Sequence, residues 1–217
     1  MLKALVLDCR VFCRYPRLFV LKISFLCYKL FTVSDIFSRR VGRIHGLSEA
    51  AALEISTPVS VLDRVYSYLG ASVDGFSFVD LGCGYGDLLW YAFLVRGCDV
   101  VGVEANPAVV SVVRGYVDFW QRLQKKDPLM CARVHILSSN LADMPLLEAV
   151  YWLSWTGFST EERAAACAAL RLLPEGAVVV TTTYPVNKPF ASLQHRFEVP
   201  FFWGVGTVYI YEIVSPG

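Results

Sequence analysis

Phe76-Ser77-Phe78-Val79-Asp80-Leu81-Gly82-Cys83-Gly84-Tyr85-Gly86-Asp87 is the stretch that decides how the rest of the chain is read. An apolar, strand-like run ends in an acid, Asp80. Glycines follow at alternate positions, Gly82, Gly84 and Gly86, and a helical pattern begins at Asp87. Alternate glycines let a backbone turn tightly and approach a ligand closely. The unpaired amides of the helix that follows face a polar or anionic ligand group.

Outward from this loop, β and α patterns alternate. A helix is expected over Pro58–Leu69, opened by a hydroxyl N-cap in Ser56-Thr57-Pro58 and closed at Gly70. Strand Phe76–Leu81, helix Leu88–Arg96, strand Val100–Glu104, helix Pro107–Leu123 and strand Arg133–Leu137 follow, then strand Ala149–Ser154, helix Thr160–Leu172 and strand Ala177–Thr183. Such alternation with short turns predicts an α/β fold with a doubly wound, mostly parallel sheet. The ending differs. Phe197–Phe201 and Thr207–Ile213 are too close for a crossover, so they should form an antiparallel hairpin.

At 217 residues the chain can bury one substantial core, and at 55% hydrophobic and 18% charged it is more apolar than an average soluble domain. The net charge is only +1, yet residues 1–43 carry +7 and the remainder −6. This asymmetry divides the chain into a basic amphipathic segment, residues 1–40, and a mildly acidic domain, residues 41–217, with 41–55 as connector. In a helix Lys3, Arg10 and Arg14 share a face, and Pro16 should interrupt that helix at Tyr15. The longest charge-free run of the second piece, Ile23–Tyr28, is far short of the roughly 20 residues a membrane span needs. The segment therefore reads as a helix packed on the domain, an anchor on an anionic membrane surface or partner, or a targeting peptide. The seven cysteines form no disulfide framework, and Cys9-x3-Cys13 has no second ligand pair to complete a metal site. Reduced thiols point to an intracellular setting, cytoplasmic or mitochondrial, with peripheral membrane contact through residues 1–40 as one option. His45, His135 and His195 lie in unrelated segments.

Three ligand classes compete for the glycine loop. A P-loop needs a lysine that does not follow Gly86. A dinucleotide fingerprint needs its third glycine one residue later than Gly86, where Asp87 stands. S-adenosylmethionine suits the set better: its zwitterionic methionine end matches backbone amides plus Asp80, and its ribose hydroxyls match Glu104 at the next strand end.

Val79-Asp80-Leu81-Gly82-Cys83-Gly84-Tyr85-Gly86 resembles the first motif of the class I, seven-stranded methyltransferases, and Val101-Gly102-Val103-Glu104-Ala105-Asn106-Pro107 resembles their second. The resemblance spans about residues 56–214. Helix Pro58–Leu69, the turn Thr181-Thr182-Thr183-Tyr184-Pro185 and the closing Gly204–Glu212 are similar to the Dot-one-like and ATP synthase c-subunit lysine methyltransferases. This resemblance implies a Rossmann-like methyltransferase fold and S-adenosylmethionine as cofactor, bound by Asp80, Gly82, Gly84, Gly86, Glu104 and Asn140. It also implies a protein lysine as acceptor. Asn140 stands where the family usually has an acid for the adenine amine, with Asp143 one turn later. After the fourth strand the family's polar acceptor motif is replaced by Leu153-Ser154-Trp155-Thr156-Gly157-Phe158, where Ser154 and Trp155 are the candidates for positioning the acceptor. Nothing in that stretch is a general base. In-line methyl transfer to a deprotonated amine needs positioning and water exclusion rather than strong base catalysis. An RNA or small-molecule methyltransferase and a catalytically silent subunit of a larger assembly stay open beside the lysine reading.

Overall fold

The computed structural model describes residues 2–32, 57–123, 133–140 and 144–215. The expected connector, Ser56, His45 and Asp143 lie outside these. The sheet strands are β1 (Ser77–Leu81), β2 (Val100–Glu104), β3 (Val134–Ser138), β4 (Ala149–Ser154), β5 (Val178–Thr182), β6 (Ala191–Phe201) and β7 (Gly204–Ile213). They make one seven-stranded sheet in the order β3-β2-β1-β4-β5-β7-β6. The first five strands are parallel to one another, whereas β7 is antiparallel to both β5 and β6. Among the described residues the α-helices are α1 (Leu2–Arg14), α2 (Pro16–Thr32), α3 (Val59–Leu69), α4 (Asp87–Arg96), α5 (Pro107–Leu123) and α6 (Thr160–Leu170).

Strand alternation sends side chains to two cores. Phe78, Val100, Val150, Trp152, Val180 and Ile210 join α1 to α5 on one face. Val79, Val101, Tyr151, Leu153, Val179 and Tyr211 join α6 on the other. Because both faces are covered, the central strands are almost continuously apolar, as a buried parallel sheet requires. The chain reverses its winding between β1 and β4. Open α/β sheets bind ligands at such a switch point, at the carboxyl ends of the strands.

The strand and helix boundaries expected from sequence agree with those observed to within a few residues, apart from the hairpin. It is longer than the pattern suggested: β6 starts at Ala191, so His195 and Arg196 lie within the strand rather than before it. Its outer face reaches solvent, which hides the apolar alternation there. The helix start at Thr57-Pro58 also needs correcting. Pro58 is the N-cap of α3 and no hydroxyl caps it. Instead the Ser60 amide donates to Asp8 Oδ1 of α1 at 2.8 Å. The carboxylate thus meets the positive end of α3 from outside the helix.

Residues 2–32 pack on the layer formed by α3, α4 and α5. Val11, Leu18, Leu21 and Phe25 are buried in the same core as those helices. Tyr116 of α5 donates to the Leu21 carbonyl at 2.7 Å, and Ser24 Oγ lies 2.5 Å from Tyr116 Oη. Lys22 pairs with Asp87 at 3.7 Å, and Arg14 with Asp63 at 3.7 Å. Among the described residues no helix is long and apolar enough to cross a membrane.

Candidate functional site

The glycine loop leaves β1 at the switch point and enters α4. Gly82, Gly84 and Gly86 all have positive φ, 86°, 50° and 81°. Residues with a Cβ rarely adopt this conformation, so the alternate spacing follows from the backbone path. The amides of Gly82 and Cys83 both donate to the Val103 carbonyl, at 2.8 and 3.0 Å, and tie the turn to β2.

Glu104 closes the cradle from the end of β2. Its Oε2 accepts from the Gly84 amide at 3.1 Å and its Oε1 from the Asn106 amide at 2.8 Å. Both carboxylate oxygens are therefore fixed by backbone amides, each with a lone pair left over for a further donor. Asn106 in turn accepts the Ala108 amide at 3.0 Å and starts α5. The loop after β3 is joined to the same place by the Ser139 amide, which donates to the Glu104 carbonyl at 3.2 Å. Asn140 follows it, exposed, one strand further out.

Asp80 is 4% exposed at the end of β1. Burial, then the nearby charges of Glu104 and Asp87, push its pKa from 3.8 to about 8. Two acids at one water-poor corner disfavour each other's charge and favour a cation between them. The buried Cys83 thiol is raised as well, by burial first and then by Asp80 and Glu104, which makes it a poor nucleophile.

Beyond the carboxyl ends of β4 and β5 lies a group of hydroxyls. Ser154 Oγ is 3.3 Å from Thr57 Oγ1 and 3.4 Å from Thr182 Oγ1. Thr156 Oγ1 is 3.1 Å from Thr183 Oγ1. Thr183 has φ 72°, the one non-glycine residue with positive φ among those described. For a β-branched residue this is a strained conformation of the kind that concentrates at functional sites. The ring of Phe158 covers Gly82, where an added Cβ would lie 3.2 Å from it. Arg163 donates to the Phe158 carbonyl at 2.6 Å and lies 4.5 Å over the exposed Tyr184 ring. Trp155 is buried and meets Phe158 edge-on, with centroids 6.1 Å apart.

The structure thus brings Asp80, Gly82, Gly84, Gly86 and Glu104 together. It sets Asn140 at their β3 edge and Ser154 next to them at the end of β4. His135 and His195 are exposed and belong to other parts of the sheet. Among the described residues no cluster of His, Cys, Asp and Glu is arranged to hold a metal ion.

Three contributors escaped the sequence reading. Gly102, in the middle of β2, makes room for the loop: a Cβ there would fall 2.7 Å from both Cys83 Sγ and Leu89 Cδ1. A glycine inside an otherwise β-branched strand was the available signal. Thr57 and Thr182 join Ser154 from elements distant in sequence, and no local pattern announces that meeting.

No family model matches the sequence, and none of the curated proteins matches it. Solved structures do resemble it. An RNA methyltransferase from Salinibacter ruber, in complex with S-adenosyl-L-homocysteine, aligns with TM-score 0.53 and 23% identity, over 73% of this chain and 93% of its own. The magnesium protoporphyrin IX methyltransferase of Synechocystis, with bound S-adenosyl-L-homocysteine, aligns with TM-score 0.53 and 14% identity over 72% of this chain and 83% of its own. TrmN from Thermus thermophilus aligns with TM-score 0.54 and 17% identity over 71% of this chain and 48% of its own. The sheet order, the terminal antiparallel hairpin and these likenesses together give this chain the Rossmann-like fold of the class I methyltransferases.

Proposed function

We propose that the chain is an S-adenosylmethionine-dependent methyltransferase acting on an amine, with a protein lysine as the favoured acceptor. The observation that carries the cofactor assignment is Glu104, held between the Gly84 and Asn106 amides at the end of β2. It offers paired acceptors for a ribose diol, beside a loop whose backbone admits a close ligand. Asp80 supplies a carboxylate for the cationic methionine end, and Asn140 an amide oxygen for the adenine edge. S-adenosylmethionine brings an electrophilic methyl group on a sulfonium. The protein's own task is then to orient the acceptor lone pair and exclude water.

The half-buried Ser154 hydroxyl, backed by the buried hydroxyls of Thr57 and Thr182, suits that task for an amine. A hydroxyl accepts an N–H without removing the proton, so the nitrogen lone pair stays directed at the methyl group. Phe158 over Gly82 and the exposed Tyr184 supply aromatic walls that favour a neutral amine by desolvation and tolerate an ammonium by cation–π contact. No charged base is needed for this chemistry. The lysine assignment rests on these walls and on the sequence resemblance. RNA is the second acceptor class, since the basic residues of 1–43 offer phosphate contacts.

Calorimetric titration with S-adenosylmethionine tests the first half of the reading. Saturable binding that Glu104→Ala weakens at least about tenfold is expected, from the loss of charge-assisted hydrogen bonds. Equal behaviour of parent and variant would remove the cofactor assignment. Transfer of labelled methyl to whole-cell extract, with and without nuclease, tests the second half. Label that survives nuclease and is lost to protease supports the protein acceptor, whereas label lost to nuclease supports RNA.

A further inference from the structure

Helix α2 buries one side against α4 and α5 and leaves the other side apolar. Phe19, Val20, Ile23 and Leu26 recur at i, i+1, i+4 and i+7, on one helical face, and each is 44–57% exposed. Nothing in the methyl-transfer chemistry uses them. On α1, Leu5 and Val6 are also exposed, in sequence between the exposed cations Lys3 and Arg10, and exposed Arg17 lies in the first turn of α2. The charge on this surface is of one sign. Asp8 is the only acid in residues 1–32, and it is 2% exposed and bonded to the Ser60 amide.

We propose that the outer face of α1 and α2 docks on an anionic lipid bilayer surface, lying in the interface plane. An apolar row flanked by Lys and Arg is the arrangement that enters the headgroup boundary and is held there by anionic lipid. A second copy of this chain fits poorly, because a two-fold contact through this face would bring the Lys and Arg residues of one copy against those of the other, with no exposed acid in residues 1–32 to compensate. A groove-binding peptide fits poorly too, since the row is the outside of a helix rather than a channel. The two helices pack on the domain and are tied to it by Asp8, Tyr116 and the Lys22–Asp87 pair. The membrane would therefore meet a preformed surface without the cost of folding a helix on it.

Docking would also orient the site. Phe25 of α2 lies 6.2 Å, ring to ring, from Tyr85 of the glycine loop, and Lys22 pairs with Asp87 at the start of α4. The Ile23–Leu26 end of the apolar row is therefore the end nearest the cofactor cradle, and the site would open close to the lipid surface. The docking itself does not depend on the methyl-transfer reading.

The test is co-sedimentation of the full chain with phosphatidylcholine vesicles, with and without phosphatidylserine, at low and high salt. Recovery on the phosphatidylserine vesicles is expected, at least about tenfold tighter than on phosphatidylcholine alone and weakened by salt. Phe19→Glu with Ile23→Glu should abolish recovery, and Arg10→Glu with Arg17→Glu should remove the preference for anionic lipid. All four positions are exposed, so an unchanged melting temperature is expected and checks that the variants fold. No recovery of the parent on either vesicle, or equal recovery on both at every salt, would overturn the proposal. So would a concentration-dependent dimer in light scattering that Phe19→Glu with Ile23→Glu disperses.

Discussion

Replacing Asp80 by Asn tests the electrostatics of the cradle with almost no change of shape. The carboxyl sits at the end of β1, nearly free of solvent, and its pKa is raised from 3.8 to about 8, by burial first and then by Glu104 and Asp87. Between those two values the folded protein holds a proton that the unfolded chain has released. Stability therefore falls as pH rises through the window, by about 1.4 kcal/mol per pH unit, and the full advantage of the neutral acid is present only below the unfolded value. Asn cannot titrate and shows none of this slope. From about pH 6 to about pH 7.5 the parent should lose about 2 kcal/mol relative to Asp80→Asn, or roughly 4–8 °C in melting temperature for a domain of this size. Scanning calorimetry of both proteins across that range reads the difference directly. A gap between their melting temperatures that stays constant with pH would refute the buried, proton-bearing carboxyl. Cofactor binding should reverse the preference, because a cationic ligand stabilises the carboxylate. At pH 7 the parent should release a proton on binding S-adenosylmethionine, seen as a heat that varies with the ionisation enthalpy of the buffer. Asp80→Asn should bind more weakly and show no buffer dependence.

Other substitutions probe other parts. Gly102→Ala forces a methyl group against Cys83 and Leu89 at 2.7 Å and should cost about 1–3 kcal/mol, read by denaturant titration, with cofactor affinity falling as the loop is displaced. Asp8→Ala strips the Ser60 amide of its acceptor and should lower stability by about 1–3 kcal/mol, an effect absent if α1 were only an appendage. Thr183→Gly relieves a positive φ of 72° at the cost of a more flexible unfolded chain. Stability should stay within about 1 kcal/mol of the parent while methyl transfer slows, and a faster enzyme would show that the strained turn serves no acceptor.

The central alternation was legible because β1, β2, β4 and β5 are buried on both faces, so short apolar runs stand out between glycine turns and amphipathic helices. The loop was legible for a stricter reason: a backbone that takes positive φ at Gly82, Gly84 and Gly86 leaves its mark as residue type. The start of α3 misled. Ser56-Thr57-Pro58 has the composition of a hydroxyl cap, yet the Thr57 hydroxyl lies against Ser154 and Asp8 takes the helix amide. A cap supplied from another helix has no local signature. The hairpin was underestimated because Leu193, Gln194, His195 and Arg196 of β6 face solvent and carry little apolar pattern.

By itself the sequence determined the layer order of the fold, the glycine loop at Asp80 and the acid one strand later at Glu104. These depend on periodicity and on backbone conformations that few residues tolerate, and both are local properties. Tertiary structure alone decided that Glu104 bridges the Gly84 and Asn106 amides, that Asp80 is buried beside a second acid, and that Thr57, Ser154 and Thr182 meet. It also decided which faces of α1 and α2 are covered and which stay apolar in water. Each of these is a contact between segments far apart in the chain, where distance and desolvation set the chemistry and residue order does not.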